Sequence, residues 1–368
     1  MNRHGYLLIL CVAILFFLGL LMVFNTTSAE VLESFDQKKS HYPVLKQILH
    51  AVIGFGLSYC IYRIGYHKIF VYVPYVFWAN CLFLLLVLIP HIGQELNGAR
   101  RWIGVRGISL QPSELMKMVM PLYYLAVFTR FYKSLVLKSF LKILATLTIP
   151  ILLILFEPDN GTAAIMLVTL VVLFYLTKVK WVYWGMPLMI IVGVSGICAS
   201  KMPHVATRIR VYLNPESDLL GKGHQPYQAK VATGSGGIYG RGLGESLQKL
   251  HYLPEARSDY IAAIYAEELG FIGITFMIIL YMCIGFLGFK IASQACDKQG
   301  LYVAGILTFI ICFQAFLNLG VVSGLLPSKG TNLPFFSHGG SSLIANLLML
   351  SCILNVGKIS YQQRYAIG

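Results

Sequence analysis

The chain has 368 residues, of which 57% are hydrophobic and only 12% charged. A soluble domain carries about a quarter of its residues charged, so an ordinary cytosolic enzyme is excluded. The formal charge of +14 does not mark a nucleic-acid binder, because the basic residues are sorted by loop and not gathered into one patch.

The rest of the composition sits in long apolar runs. About 20 such residues cross a bilayer as a helix, and only helices satisfy their own backbone there. Strict alternation is missing, which excludes a membrane barrel. Ten spans are expected, at roughly 6–24, 44–63, 69–90, 113–130, 139–156, 160–177, 182–200, 261–289, 302–323 and 338–357. The expected fold is therefore all-α, a single polytopic domain over 1–368 with one large extracytoplasmic loop, 201–260, between helices seven and eight. The first run follows Asn2-Arg3-His4 and lacks an Ala-x-Ala cleavage site, so it reads as a first helix and not as a signal peptide. With the N-terminus cytoplasmic, the loops on that side hold Arg3, Arg63, Lys68, Arg130, Lys290, Lys298 and Arg364, among other cations, against one acid, Asp297. This is the positive-inside bias, and it places both termini in the cytoplasm. Seven of the 8 cysteines fall in spans, without metal-ligand spacing, and read as packing residues.

In chain order, the first distinctive loop is NGARRWIGVRGISLQPSELMK, 97–117. Trp102 is an interfacial anchor or part of a site. Arg100, Arg101 and Arg106 suit an anion, since guanidinium forks match phosphate oxygens. Ser113 and Pro112 open helix four. Glu114 and Lys117 stand three apart on one helix face. They form a simple i,i+3 pair or line a polar cavity, a lysine inside an apolar helix being expensive. Asp159, in Glu157-Pro158-Asp159-Asn160-Gly161-Thr162, either caps helix six or joins a site.

The long loop carries Arg208 and Arg210 in ATRIRVYLNP, then SGGIYGRGLG at 235–244. The glycines superficially suggest a phosphate loop, but no strand precedes them and no Gly-Lys-Ser/Thr follows. They are expected to allow tight turns and close approach to a ligand. Asp259 stands where this charged loop meets the next apolar run. It is an N-cap, shared with Ser258, or the functional carboxylate. Glu267 and Glu268 lie two turns further in, where carboxylates imply a polar cavity or protonation. Lys329 and His338, in SGLLPSKGTNLPFFSHGGSS, make a ligand-facing loop the expectation there.

Four of these motifs occur in one order: GARRWIGV…QPSELMK, PDNGTA, GGIYGRGLGESLQKLHYLPEARSDYIAAIYAEELGFIG and LPFFSHGGSS. Together they resemble the SEDS family, the shape, elongation, division and sporulation proteins, along nearly the whole chain. Within it, QKLHYLPEA and the PSKG before NLPF look more like the division member than the elongation member. The resemblance implies a ten-helix peptidoglycan glycosyltransferase of the bacterial inner membrane. It would polymerise lipid II by inverting transfer with release of undecaprenyl pyrophosphate. The family's essential aspartate falls on Asp259, within Ser258-Asp259-Tyr260-Ile261-Ala262-Ala263. The sequence departs from the family pattern at Arg257-Ser258, Glu157, Asn160, His338 and the lengthened GKGHQPYQ.

On this reading Asp259 is the general base and Arg101, Arg208 and Arg210 meet the departing pyrophosphate, with Lys117 or Lys249 helping. Glu114, Asp159, Gln228, Glu255, Lys329, His338, Ser341 and Ser342 complete the candidate substrate-binding set. No cofactor is required by the sequence; a divalent cation, Mg or Mn, could assist the pyrophosphate. The implied partner is a class B penicillin-binding protein transpeptidase, and the implied place is the division septum. Two other classes compete. A lipid II flippase needs polar residues through the full membrane thickness, and a pure scaffold needs no Asp159, Asp259 and arginines together.

Overall fold

The computed structural model describes residues 3–34, 41–96, 99–105, 108–131, 136–200, 212–219, 221, 223–250, 253, 255–327 and 330–366. The helices are α1 (Arg3–Ser34), α2 (Tyr42–Ile64), α3 (Tyr66–Leu88), α4 (Pro112–Phe131), α5 (Leu137–Phe156), α6 (Asn160–Leu176), α7 (Trp181–Ser200), α8 (His224–Ser235), α9 (Ile261–Ser293), α10 (Lys298–Val322) and α11 (Gly340–Ala366). Seven of them, α1, α2, α3, α5, α9, α10 and α11, are long and apolar enough to cross a membrane. The chain is therefore a multi-spanning, essentially all-helical membrane protein. Helices α9, α10 and α11 pack together at its centre, with α2 against α11 and α1 against α9.

Two elements were not expected. Between α3 and α4 lies a three-stranded antiparallel sheet, β1 (Gly93–Leu96), β2 (Ala99–Val105) and β3 (Ile108–Leu110), in the order 1-2-3. Its register sets Gln94 opposite Trp102 and Glu95 opposite Arg100. The sequence between the strands reads Asn97-Gly98 and Arg106-Gly107, and Asn-Gly is the strongest short hairpin signal. The second is α8, inside the long loop that the sequence left without structure.

Helix α9 is broken at Gly270, whose φ of 65° and ψ of −161° are not helical. A break leaves carbonyl and N–H groups without helical partners, which is costly away from water. The glycine-rich segment 236–244 fills this gap. Arg241 N and Gly242 N donate to the carbonyls of Glu267 and Glu268, each at 3.0 Å. Phe271 N and Ile272 N donate to Gly237 and Ile238 at 2.9 and 3.2 Å. A Cβ at Gly240 would lie 2.1 Å from the Glu268 carbonyl oxygen, and one at Gly270 2.3 Å from Gly240 N. The expectation that these glycines face a ligand is corrected: what approaches them is the backbone of the broken helix.

Buried side chains lock the same junction. Lys249 Nζ donates to Glu268 Oε1 at 2.9 Å and to Asn25 Oδ1 at 2.7 Å, and Asn25 donates to the other Glu268 oxygen. Glu267 accepts from Ser246 Oγ at 2.5 Å and from the amides of Leu247 and Gln248 at 3.2 and 3.3 Å. Both glutamates are thus hydrogen-bonded partners of the loop and not the walls of an open cavity.

Candidate active site

The starts of α4, α6, α9 and α11 and the second turn of α2 surround one polar cavity of about 520 Å³. It holds Arg101, Glu114, Asp159, Glu255, Asp259, His338, Ser341 and Ser342 in its walls. Eight of the sequence-predicted site residues, drawn from five separate stretches of chain, are therefore brought together.

Asp259 ends the loop before α9. The N-cap of α9 is Tyr260, without a side-chain cap bond, so the Asp259 carboxylate does not serve the helix. Its backbone is held instead. Asn318 Nδ2 donates to the Asp259 carbonyl at 2.8 Å and also to the Thr331 carbonyl. Ser337 Oγ donates to the Ser258 carbonyl at 2.6 Å, and His338 N to the Arg257 carbonyl at 3.0 Å. These bonds zip the 255–259 loop to the 330–340 loop. Burial, reinforced by Glu255, raises the Asp259 carboxyl to about 7 against the pull of Arg101. A carboxylate near neutrality can accept a proton in one step and release it in the next.

Arg101, on β2, is aimed by backbone. Its Nε donates to the Glu157 carbonyl at 3.1 Å and its Nη2 to the Pro158 carbonyl at 2.8 Å. Arg100 turns away, paired with the exposed Glu95 at 3.1 Å, and Arg106 lies outside the described residues. Asp159 does both things the sequence allowed. Its oxygens accept from Thr162 N at 3.1 Å and Thr162 Oγ1 at 2.9 Å, capping α6, while it also lines the cavity. Beside it Glu157 is fully buried, with neither carboxyl oxygen hydrogen-bonded. Burial, then the neighbouring Asp159, pushes Glu157 up to about 8, so it is largely protonated at neutral pH.

Glu114 faces the cavity and Lys117 stands behind it. The lysine donates to Glu114 Oε1 at 2.9 Å and to Gln314 Oε1 at 3.1 Å, and both charged side chains are buried. Gln314 continues the chain to the Asn332 carbonyl at 2.9 Å. Lys117 therefore orients Glu114 and is not in the lining. Ser341 Oγ accepts from Gln111 N at 2.9 Å, tying α11 to the entry of α4. His338 is half-buried; its withdrawal from water, then the neighbouring Arg257, holds its imidazole down at about 4 and hence neutral.

Three expectations separate from this group. Lys249 belongs to the α9 junction, in a salt bridge with Glu268. Gln228 is on α8 but outside the lining, where Gln225, one turn earlier, stands instead. Arg208, Arg210 and Lys329 lie outside the described residues. The cavity also contains residues that the sequence did not single out: Lys46, His50, Gln111, Thr162 and Asn332. Lys46 and His50 open a helix that reads as ordinary apolar span, and their spacing of four on one helix face was the available signal. Trp102 is in the cavity wall.

The profile of the cell cycle protein family that groups FtsW, RodA and SpoVE matches residues 6–362. The chain belongs to this family. It is 36% identical over 367 residues to the stage V sporulation protein E of Bacillus subtilis, covering 96% of this chain and 97% of that one. It is 38% identical over 359 residues to a probable peptidoglycan glycosyltransferase FtsW of Coxiella burnetii, covering 95% of each. Among solved structures it is similar to a chain from a work on coordination of polymerization and crosslinking by a peptidoglycan synthase complex. The TM-score is 0.77 at 25% identity, with 97% and 98% of the two chains covered. The rod shape determining protein RodA of Thermus thermophilus superposes with a TM-score of 0.68 at 24% identity over 96% and 97% of the chains.

Proposed function

We propose that this chain polymerises lipid II into peptidoglycan glycan strands. The observation that carries the reading is Asp259: a carboxyl held near neutrality, not used as a helix cap, in the wall of a cavity that also presents Arg101 and Lys46. The GlcNAc 4-hydroxyl of lipid II attacks C1 of the sugar at the lipid-linked end of the growing strand. The new C–O bond forms as the bond from C1 to the pyrophosphate oxygen breaks, inverting C1. Asp259 takes the hydroxyl proton, and the pyrophosphate leaves with the bonding electron pair. A placed base of this kind contributes about 10²–10⁴-fold. Arg101 and Lys46 stabilise the charge that develops on the leaving group. Arg208, Arg210 and Lys329 are proposed as further anion contacts and Gln228 as a more distant substrate contact.

The distribution of charge favours polymerisation over translocation. On α4 the next charged residue after Lys117 is Arg130, and on α9 the next after Glu268 is Lys290. The deeper halves of these helices offer no ionised relay for a headgroup. Adding α4, α6 and α7 to the seven long apolar helices makes ten spans. Both termini are then cytoplasmic, and the cavity faces outward from the inner membrane. A cysteine placed at Tyr239 should label from outside, and one placed at Lys298 should not.

The cell cycle family supports a division role, and a septal location is proposed with it. The related synthase complex supports a class B penicillin-binding protein as partner. Its seat is proposed on the lipid-facing sides of α9 and α10, where Phe271, Phe276 and Phe316 are exposed. Among the described residues, no three of His, Cys, Asp and Glu gather to hold a metal, so no step is assigned to one. Any Mg²⁺ or Mn²⁺ is proposed to arrive with the pyrophosphate. The test is glycan product from labelled lipid II by the purified chain, with and without its transpeptidase and with and without chelator. No product under any of these conditions overturns the reading.

A further inference from the structure

The end of the molecule opposite Asp259 holds a second cavity, of about 370 Å³, where the beginning of α1 meets the ends of α9 and α11. Arg3 and His4 enter it from α1, Gln294 from the end of α9, and Ser360 and Arg364 from α11. No acid lines it among the described residues. Asp297, the acid of the neighbouring loop, is already engaged. It accepts from Tyr66 Oη at 2.7 Å and Gly300 N at 2.9 Å, and His67 stands 3.7 Å away.

The charge arrangement is unbalanced for a protein alone. The first turn of α1 contains no acid, although acids are favoured there and cations are not. Arg364 uses one N–H on the Gln294 carbonyl at 2.8 Å, which leaves most of its five donors for another acceptor. The three helices are all long and apolar enough to cross the membrane, so their shared ends lie at a bilayer surface. Ile291 supplies an apolar wall to the cavity, as the glycerol and first methylenes of a lipid would require.

We propose that this cavity binds the phosphate of an anionic phospholipid headgroup, which pins α1, α9 and α11 together at that face. The ligand chemistry is a phosphodiester oxygen pair received by Arg3 and Arg364, with the lipid chains running outward along the helices. The inference rests on these helix ends and is independent of the chemistry at Asp259.

The test uses the full chain in detergent, titrated with phosphatidylglycerol or with phosphatidylcholine of the same acyl chains, and read by native mass spectrometry and thermal midpoint. Phosphatidylglycerol is expected to stay bound and raise the midpoint, and phosphatidylcholine to do neither. Arg3→Gln with Arg364→Gln should weaken the anionic lipid roughly tenfold or more, at about 1 kcal/mol per cation. The Arg3→Lys/Arg364→Lys chain should retain most of the binding. Should the double glutamine variant fail to fold, Arg3→Gln alone is read, since it removes charge from an exposed position. Equal binding of the two lipids, or an unchanged affinity in the glutamine variants, overturns the proposal. Displacement of the lipid by inorganic phosphate, with the same rise in midpoint from phosphate alone, overturns the lipid assignment in favour of a free-anion site.

Discussion

The Asp259 carboxylate lies directly against the backbone of Gly330: a Cβ built on that glycine would stand 2.7 Å from Asp259 Oδ2. The close approach exists because Asn318 ties the Asp259 and Thr331 carbonyls to one amide. Gly330→Ala should therefore displace the carboxylate with little effect on the fold. The expected result is at least a tenfold loss of kcat on labelled lipid II, with a thermal midpoint within a few degrees of the parent. An unchanged kcat would show that the carboxylate position is not critical.

Asp259→Asn should abolish polymerisation while leaving folding intact. The side chain keeps its size and loses the base. A helix cap cannot account for such a loss, because Asn and Asp cap about equally well and Tyr260 occupies the cap position. Glycan product at the parental rate would remove Asp259 from the mechanism.

The rate should fall about tenfold per pH unit below the Asp259 value of about 7, because only the ionised carboxylate accepts a proton. Stability should run the other way. Burial raises this carboxyl above its unfolded value, so the protonated form is the one that folding favours. That contribution is complete below about 4 and is lost as pH rises through about 7. Asp259→Asn should remove this part of the pH dependence. Rates of the parent between pH 5.5 and 8, with midpoints of both proteins, check both signs.

Glu157 offers an independent case higher on the scale. Its carboxyl is raised to about 8, so the same sign applies: stability is lost as pH passes through about 8. Glu157→Gln keeps the shape, cannot ionise, and should flatten the loss of thermal midpoint between about pH 5 and 8. It should leave the rate at pH 7 within about threefold, because the Arg101 contacts use the 157 and 158 carbonyls and not the side chain. A parental pH slope in the variant would show that Glu157 is not the titrating group.

Lys249→Met should destabilise the chain by roughly 3–5 kcal/mol, the cost of leaving a buried charge alone. Here that charge is Glu268. Lys249→Met/Glu268→Gln should regain most of the loss. Equal instability of the single and double variants, measured by denaturant midpoint, would count against the ion pair as the cause.

The apolar runs were legible because the period and length of a membrane helix leave few alternatives: helices cover the expected runs, and seven of them are long and apolar enough to cross a membrane. Asp259, Glu114 and Asp159 were legible as charges at the edges of such runs. Lys249 was misread because a lysine in a loop looks available for a phosphate until Glu268, 19 positions away, is found against it. The glycines of 236–244 carry the same composition whether they approach a ligand or a broken helix, and only the φ of Gly270 separates the two. Lys46 and His50 were missed because a cation near a helix end is also what an ordinary membrane anchor looks like. The pairing of β1 with β2 has its signal in the Asn97-Gly98 dipeptide of the sequence.

The break at Gly270 divides α9 into a short piece that follows Asp259 and a long piece, 271–293, that spans the lipid. A continuous helix would carry every tilt of its membrane segment to its tip, and tilt is how helices accommodate bilayers of different thickness. Here the short piece is hydrogen-bonded to the 236–249 loop, and Asp259 just before it is tied through Asn318 to α10. The position of the carboxylate is thus set by bonds made outside the 271–293 segment. Reconstitution into thinner or thicker bilayers should reorient residues 271–293 while the reacting distance at Asp259 stays constant, a mechanical insulation suited to an enzyme that meets changing lipid composition.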